Sequence, residues 1–281
     1  MVSTGACRYT RWPLLMIKPP MFLIALLPAV RRVLAAMLLV LPATLVNAGE
    51  PLRIAAAASL RPAMDAILKE YRTAYPEHAV EVVYGSSGRF RAQIANGAPF
   101  DLFFSADMAL PEALRAAGET SGEVTPYALG RLVLWSNVED ASQLTLSDLS
   151  DPRFRRIAIA SPRHAPYGAR AQEALQANAL WDVLEPRLVY GENIMHTLQL
   201  VQSGAAEVGL VALALVKSPG LSGQQGYYLI DDSLHEPLYQ GFVLTRRAAD
   251  NATAHTFAGF IGQPESRTIL QHYGFVLPDE E

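Results

Sequence analysis

The sequence predicts an α/β protein of two lobes, each a mixed, mostly parallel sheet flanked by helices. Three observations carry that prediction. Short β-type runs alternate with amphipathic helical stretches from residue 52 almost to the end, the pattern of βαβ units. The strands are too many for one comfortable sheet in a chain of 281 residues, so two lobes fit better. Four of the strand-to-helix junctions also share one format, a small polar or Gly-rich turn.

The elements follow in order. Residues 52–58, LRIAAAA, read as a strand. In the next stretch Ala63, Ile67, Leu68 and Tyr71 recur at helical spacing, and Pro62 suits a first helical turn. A strand at 79–85 (AVEVVYG), a helix at 89–95 and a strand at 101–106 (DLFFSA) come next. A helix in DMALPEALRAAG then closes on Gly118 as its C-cap. The second set comprises strands at 129–136, 155–161, 187–192 and 206–213, with helices in ARAQEALQANAL (169–180) and NIMHTLQLVQSG (193–204). The loop 218–226 (SPGLSGQQG) is a surface loop by composition. PLYQGFVLTRR and two helical segments up to Tyr273 complete the chain. Pro126-Tyr127 and Pro237-Leu238-Tyr239 are the expected crossings between lobes. The expected organisation is therefore 49–128 and 237–281 for the first lobe and 129–236 for the second.

The N-terminus differs from the rest. Residues 1–48 contain no acidic residue, and the apolar run 33–46 follows Arg31-Arg32 and leads to VNA ending at Ala48. A basic region, an apolar run and small residues read as a secretory signal peptide. The run is 14 residues long and contains Pro42, short of the ~20 needed to span a bilayer. Met16 and Met21 offer later starts for this segment. Residues 49–281 hold 18 basic and 27 acidic side chains, a net charge of −9, and no cysteine, since Cys7 precedes the apolar run. An exported, cysteine-free domain relies on its core, without disulfides or thiol chemistry. The acidic balance argues against a nucleic-acid surface. It also removes the simplest route to an anion, a basic patch.

The four shared junctions are Ser59 after Ala58, GSSG at 85–88, SPRHAPYGA at 161–169 and GENI at 191–194. In open α/β sheets, turns at the carboxyl ends of strands are where ligands bind. Each also presents backbone N–H groups at a helix N-terminus, suited to an anion. Each has a plainer reading as well. Ser59 is the residue type of an ordinary N-cap, GSSG a common turn, Tyr167 a surface aromatic, and Asn193 a cap. Their conjunction is what points to a site. Catalytic constellations are thin. GSSG is not a G-x-S-x-G elbow, and no histidine stands in evident relation to a serine. The six histidines show no metal-ligand spacing, His164 included, and no P-loop motif exists, Lys69 and Lys217 being the only lysines after residue 48.

The segments RIAAAASLRPAM, YGSSGRFRAQIANGAPFDLFFSAD, APYGARAQEAL, GENIMHTLQLVQSGAAEVGLVALALV and ILQHYGFVLP resemble the signature segments of periplasmic molybdate-binding proteins of ABC importers. The resemblance is scattered over residues 52–277. It implies a type II periplasmic binding protein: two lobes joined by two crossover segments, a tetrahedral oxyanion in the cleft, and delivery to a permease of the inner membrane. It implies a monomer in the periplasm, no enzyme activity, no cofactor, and molybdenum present only within the bound oxyanion, without direct protein–metal ligands. Carried over by position, the donors fall on the hydroxyls and N–H groups of Ser59 and Ser87 and on the N–H groups of Tyr167 and Ile194, with Leu60, Ser86 and Asn193 in support. One departure stands out: many members carry a donor tyrosine where this chain has Ala212. Tyr167, where many members have a small residue, offers a phenol from the opposite loop.

Uncharged donors suit a dianion. Each charge-assisted bond contributes ~1.5–3 kcal/mol, and several together reach the ~8–12 kcal/mol of micromolar to nanomolar binding. A ring of donors with no acceptor favours fully deprotonated molybdate over protonated phosphate, while tungstate, of nearly the same size, is not separated. A binding protein for sulfate, phosphonate or a carboxylate is the neighbouring alternative, and an exported serine hydrolase using Ser59 or Ser87 the distant one.

Overall fold

The structure is a computed structural model and describes residues 50–221 and 226–278. The expected signal peptide at 1–48 and residues 222–225 of the 218–226 loop lie outside the described residues.

The first sheet has the order β2-β1-β3-β10-β4, built from β1 (Leu52–Ala57), β2 (Val80–Gly85), β3 (Leu102–Ser105), β4 (Thr120–Gly130) and β10 (Leu238–Thr245). β1 pairs in parallel with β2 and β3, and β10 runs antiparallel between β3 and β4, so four of the five strands point one way. The second sheet repeats the scheme with β5 (Leu132–Ser136), β6 (Ile157–Ala160), β7 (Leu188–Gly191), β8 (Val208–Ala212) and β9 (Tyr228–Leu229), in the order β7-β6-β8-β5-β9. Here β5 is the reversed strand. The chain passes from the first sheet to the second between Gly130 and Leu132, and returns between β9 and β10. Each reversed strand is thus the one entered directly after a crossing. Pro126 and Tyr127 lie inside β4, a few residues before the first crossing.

Residue alternation decides which face each strand buries. In β1, Leu52, Ile54 and Ala56 join the core under α1 (Arg61–Ala74), α8 (Ala252–Ile261) and α9 (Pro264–His272). Ala55 faces the opposite layer with Phe103 and Val243, covered by Phe90 and Ile94 of α2 (Ser87–Ala95) and Leu114 of α3 (Ala109–Ala116). Gly118, at φ 74°, ends the α3 turn in the left-handed region, as its position after the helix predicts. The second sheet is enclosed by α4 (Pro166–Ala177), α5 (Trp181–Leu184), α6 (Ile194–Gln202) and α7 (Leu213–Val216) around a core centred on Leu134, Ile159 and Leu210. Ala57, Ala58 and Ala106, at the tips of the first sheet, pack into that same core.

Two strands were not expected. β4 reads TSGEVTPYALG, polar and broken by Gly122 and Pro126. It is a strand because it zips along β10 at the sheet edge, where a proline costs little, and Pro126 lies opposite Gly241 at a register shift. β9 is only two residues long and exists through its pairing with β5.

Candidate functional site

The turns following β1, β2, β6 and β7 converge at the carboxyl ends of their strands on one small cavity of about 210 Å³. Its wall comprises Ala57, Ala58 and Ser59 from the first turn, Gly85, Ser86 and Ser87 from the second, Ala165, Pro166 and Tyr167 from the third, and Asn193 and Ile194 from the fourth, with Ala106 beside them. No residue of this wall carries a charged side chain. The room it leaves for the centre of a water-sized sphere is only about 10 Å³, against the roughly 300–1,000 Å³ of pockets for organic ligands. A larger hollow of about 690 Å³ lies between α1 and the α8–α9 pair, open to the surface and away from all four turns.

Ser59 sits in a single 3-10 turn, Ala58–Leu60, between β1 and α1. The simple cap expected of it is not there: Leu60 occupies the N-cap position of α1, and Ser59 makes no capping bond. The reason is local, since the chain enters the helix through the 3-10 turn and Ser59 is already inside it. Its Oγ is fully buried and has no hydrogen-bond partner among the described residues. Such an orphan costs ~1–3 kcal/mol and calls for an explanation. The other three donors take their places by different means. Ser87 Oγ accepts from the Ala106 N–H at 3.1 Å, which leaves its own proton to donate. Tyr167 and Ile194 lie in the first turns of α4 and α6, where an N–H has no acceptor within the helix. Ser59, Ser87, Tyr167 and Ile194 therefore do come together on one wall.

The supporting residues divide. Asn193 caps α6, its Oδ1 accepting from the His196 N–H at 3.0 Å, and it lines the cavity. Ser86 lines it too, but its hydroxyl donates to the His164 carbonyl across the two lobes. Leu60 is not on the wall; it is buried in the first lobe's core. Ala212 is buried at the end of β8 and absent from the wall, so no side chain there reaches the cavity.

Contacts across the cleft surround the cavity. The Gly88 N–H donates to the same His164 carbonyl at 2.9 Å. A Cβ on Gly88 would stand 2.6 Å from that oxygen, so only glycine permits this approach. On the rim, Arg89 pairs with Glu192 at 3.1 Å and Arg170 with Asp107 at 3.8 Å.

Behind the wall lies a pair of residues that the sequence reading did not single out as site residues. The buried Tyr127 hydroxyl donates to Gln240 Oε1 at 2.7 Å, and Gln240 Nε2 donates to the Tyr167 hydroxyl at 3.2 Å. Burial holds the phenols of Tyr127 and Tyr167 well above the ordinary tyrosine value, with the Gln240 amide and the Ser59 hydroxyl pulling Tyr167 the other way. Both phenols keep their protons near neutral pH. The Ser59 hydroxyl is thus a neighbour of the Tyr167 hydroxyl, although no hydrogen bond joins the two in this structure. The available signal was a lone glutamine in the apolar run PLYQGFVL, a polar residue that a central strand has to satisfy.

The comparisons with known proteins agree with this picture. Residues 52–276 match the family model described as bacterial extracellular solute-binding protein. A protein of Rhodobacter capsulatus named Molybdate-binding protein ModA is 36% identical over 248 residues, covering 85% of this chain and 91% of the relative. The protein of the same name from Azotobacter vinelandii is 36% identical over 206 residues, 71% of this chain and 80% of the relative. The solved periplasmic molybdate-binding protein of Azotobacter vinelandii superimposes with a TM-score of 0.75 at 32% identity, covering 81% of this chain and 99% of that one.

Proposed function

The chain belongs to the bacterial extracellular solute-binding protein family, and from that premise we propose that it captures molybdate, with tungstate as a near equivalent, for an ABC importer. The observation that carries the reading is the cavity itself: small, walled without charge, and holding a buried Ser59 hydroxyl that has no hydrogen-bond partner among the described residues. A tetrahedral dianion supplies the acceptor that this hydroxyl lacks. The Ser87 proton and the N–H groups of Tyr167 and Ile194 complete a set of neutral donors, two from each lobe. Helix N-terminal dipoles add roughly 0.3–1 kcal/mol apiece. An anion touching both lobes favours the closed form by its differential affinity for it, and the closed form is the shape a permease reads.

In this reading the protein acts in the periplasm as a monomer, needs no cofactor and catalyses nothing. The relatives' names support the ligand class. The serines on the wall have no histidine or carboxylate beside them there, which leaves a hydrolase without a base. The experiment is calorimetric titration of the purified protein with molybdate, tungstate, sulfate and phosphate. Micromolar or tighter binding of the first two, and weaker binding of the others, is expected. No binding of molybdate or tungstate at micromolar concentration would defeat the reading, and preference for sulfate would move the protein to the neighbouring ligand class.

A further inference from the structure

We propose that Gln240 is a positioning residue that sets the direction of hydrogen bonding behind the cavity, so that the Tyr167–Ser59 side presents a proton to the anion and never a lone pair. The inference rests on the oxyanion reading above and assigns the part of the molecule that enforces it.

Gln240 lies on β10, the strand entered at the return crossing, and is fully buried. Its amide bridges two buried phenols, one from β4 and one from α4. The 2.7 Å contact to Tyr127 has the length of an O–H···O bond, and the 3.2 Å contact to Tyr167 that of an N–H···O bond. The carbonyl end therefore faces Tyr127 and the nitrogen end faces Tyr167. With the amide reversed, Tyr127 would have to give its proton to the Ser105 carbonyl, which is 3.5 Å away and a poor acceptor at that distance.

Direction then propagates. Tyr167 receives a hydrogen bond from Gln240, so its single proton is left for the other side, where Ser59 lies. Should that proton go to Ser59 Oγ, the Ser59 proton turns into the cavity; should it go into the cavity directly, the result is the same. Glutamine accepts at one end and donates at the other, and here that pair of properties orders two tyrosines. The packing leaves room for nothing larger: a Cβ on Gly130, at the β4–β5 crossing, would overlap both the Tyr167 hydroxyl and the Gln240 amide nitrogen. A site whose back wall only donates accepts a fully deprotonated oxyanion and rejects one that still carries a proton, because that proton finds no acceptor.

The test compares molybdate with hydrogen arsenate near pH 8 by competition calorimetry on the wild-type protein and on Gln240→Glu and Gln240→Met. A carboxylate at 240 accepts from both tyrosines and turns Tyr167 round, which leaves a lone pair at Ser59. The expected result is a loss of about tenfold or more in molybdate affinity, with a fall in the molybdate-to-hydrogen-arsenate affinity ratio. Gln240→Met frees the Tyr167 hydroxyl to turn either way and lowers the same ratio by a smaller factor. A structural defect weakens both anions alike, since both are dianions. Equal weakening of the two anions in both variants, or unchanged molybdate affinity, would overturn the assignment while leaving the oxyanion reading intact. A wild-type protein that binds neither molybdate nor tungstate would overturn both.

Discussion

Ser59 and Ser87 are the same residue type at matching positions, yet the structure gives them different electronic situations. Ser87 has one lone pair committed to the Ala106 N–H, which aims its proton. Ser59 Oγ has no hydrogen-bond partner among the described residues. Removing either hydroxyl is expected to weaken molybdate binding by ~1–3 kcal/mol, the cost of one bond to a charged ligand. Their effects on stability should separate. Ser59→Ala removes an orphaned polar atom and should leave the apparent stability without ligand unchanged or slightly higher. Ser87→Ala strands a buried N–H and should lower it by ~1–3 kcal/mol. Paired calorimetry and denaturant titrations read both numbers, and a Ser59→Ala variant that loses stability while keeping affinity would show that the hydroxyl is structural. That Ser59 lies at the junction whose turn lines the cavity was legible in the sequence, from its place between a strand and a helix. That it does not cap the helix was not legible, because the 3-10 turn that displaces it is a tertiary adjustment.

The helices matter through their first turns. α4 begins at Pro166, three residues before the helical stretch expected from the pattern, and that extension places Tyr167 in the N-terminal turn. Proline at the first helical position suits such a start. α2 likewise begins at Ser87 rather than at Arg89, with Gly88 in its first turn and against His164. Gly88→Ala is expected to hold the lobes apart at this point, since the His164 backbone cannot retreat as a flexible side chain would. Molybdate affinity should fall about tenfold or more, and the ligand-dependent decrease in radius of gyration, followed by small-angle X-ray scattering, should shrink. Full compaction and wild-type affinity in this variant would mean that the Gly88–His164 approach does not control closure. The rim pairs Arg89–Glu192 and Arg170–Asp107 cross the same cleft; the first is well exposed and contributes little, roughly 0–1 kcal/mol.

At the scale of the molecule, the net charge of −9 on residues 49–281 and an uncharged cavity wall separate this site from one built on basic residues. On the proposed reading, long-range attraction would not help the anion, and short-range donors and helix termini would hold it. Raising the salt concentration screens the repulsion between protein and dianion, so molybdate affinity is expected to stay constant or rise slightly between about 20 and 200 mM salt. A steep fall over that range would point to cationic side chains in the binding step. By itself the sequence determined the α/β class, the alternation of strands and helices, and the four turns that carry Ser59, Ser87, Tyr167 and Ile194, because hydrophobic period and turn chemistry are local properties of the chain. Only the tertiary structure decided that β4 is a strand at all, that Leu60 faces the core, that the Ser86 hydroxyl is spent on His164, and that Tyr127 and Gln240 stand behind the cavity. Each of those depends on a partner far away in sequence, and a hydrogen bond has a direction only once both of its ends are in place.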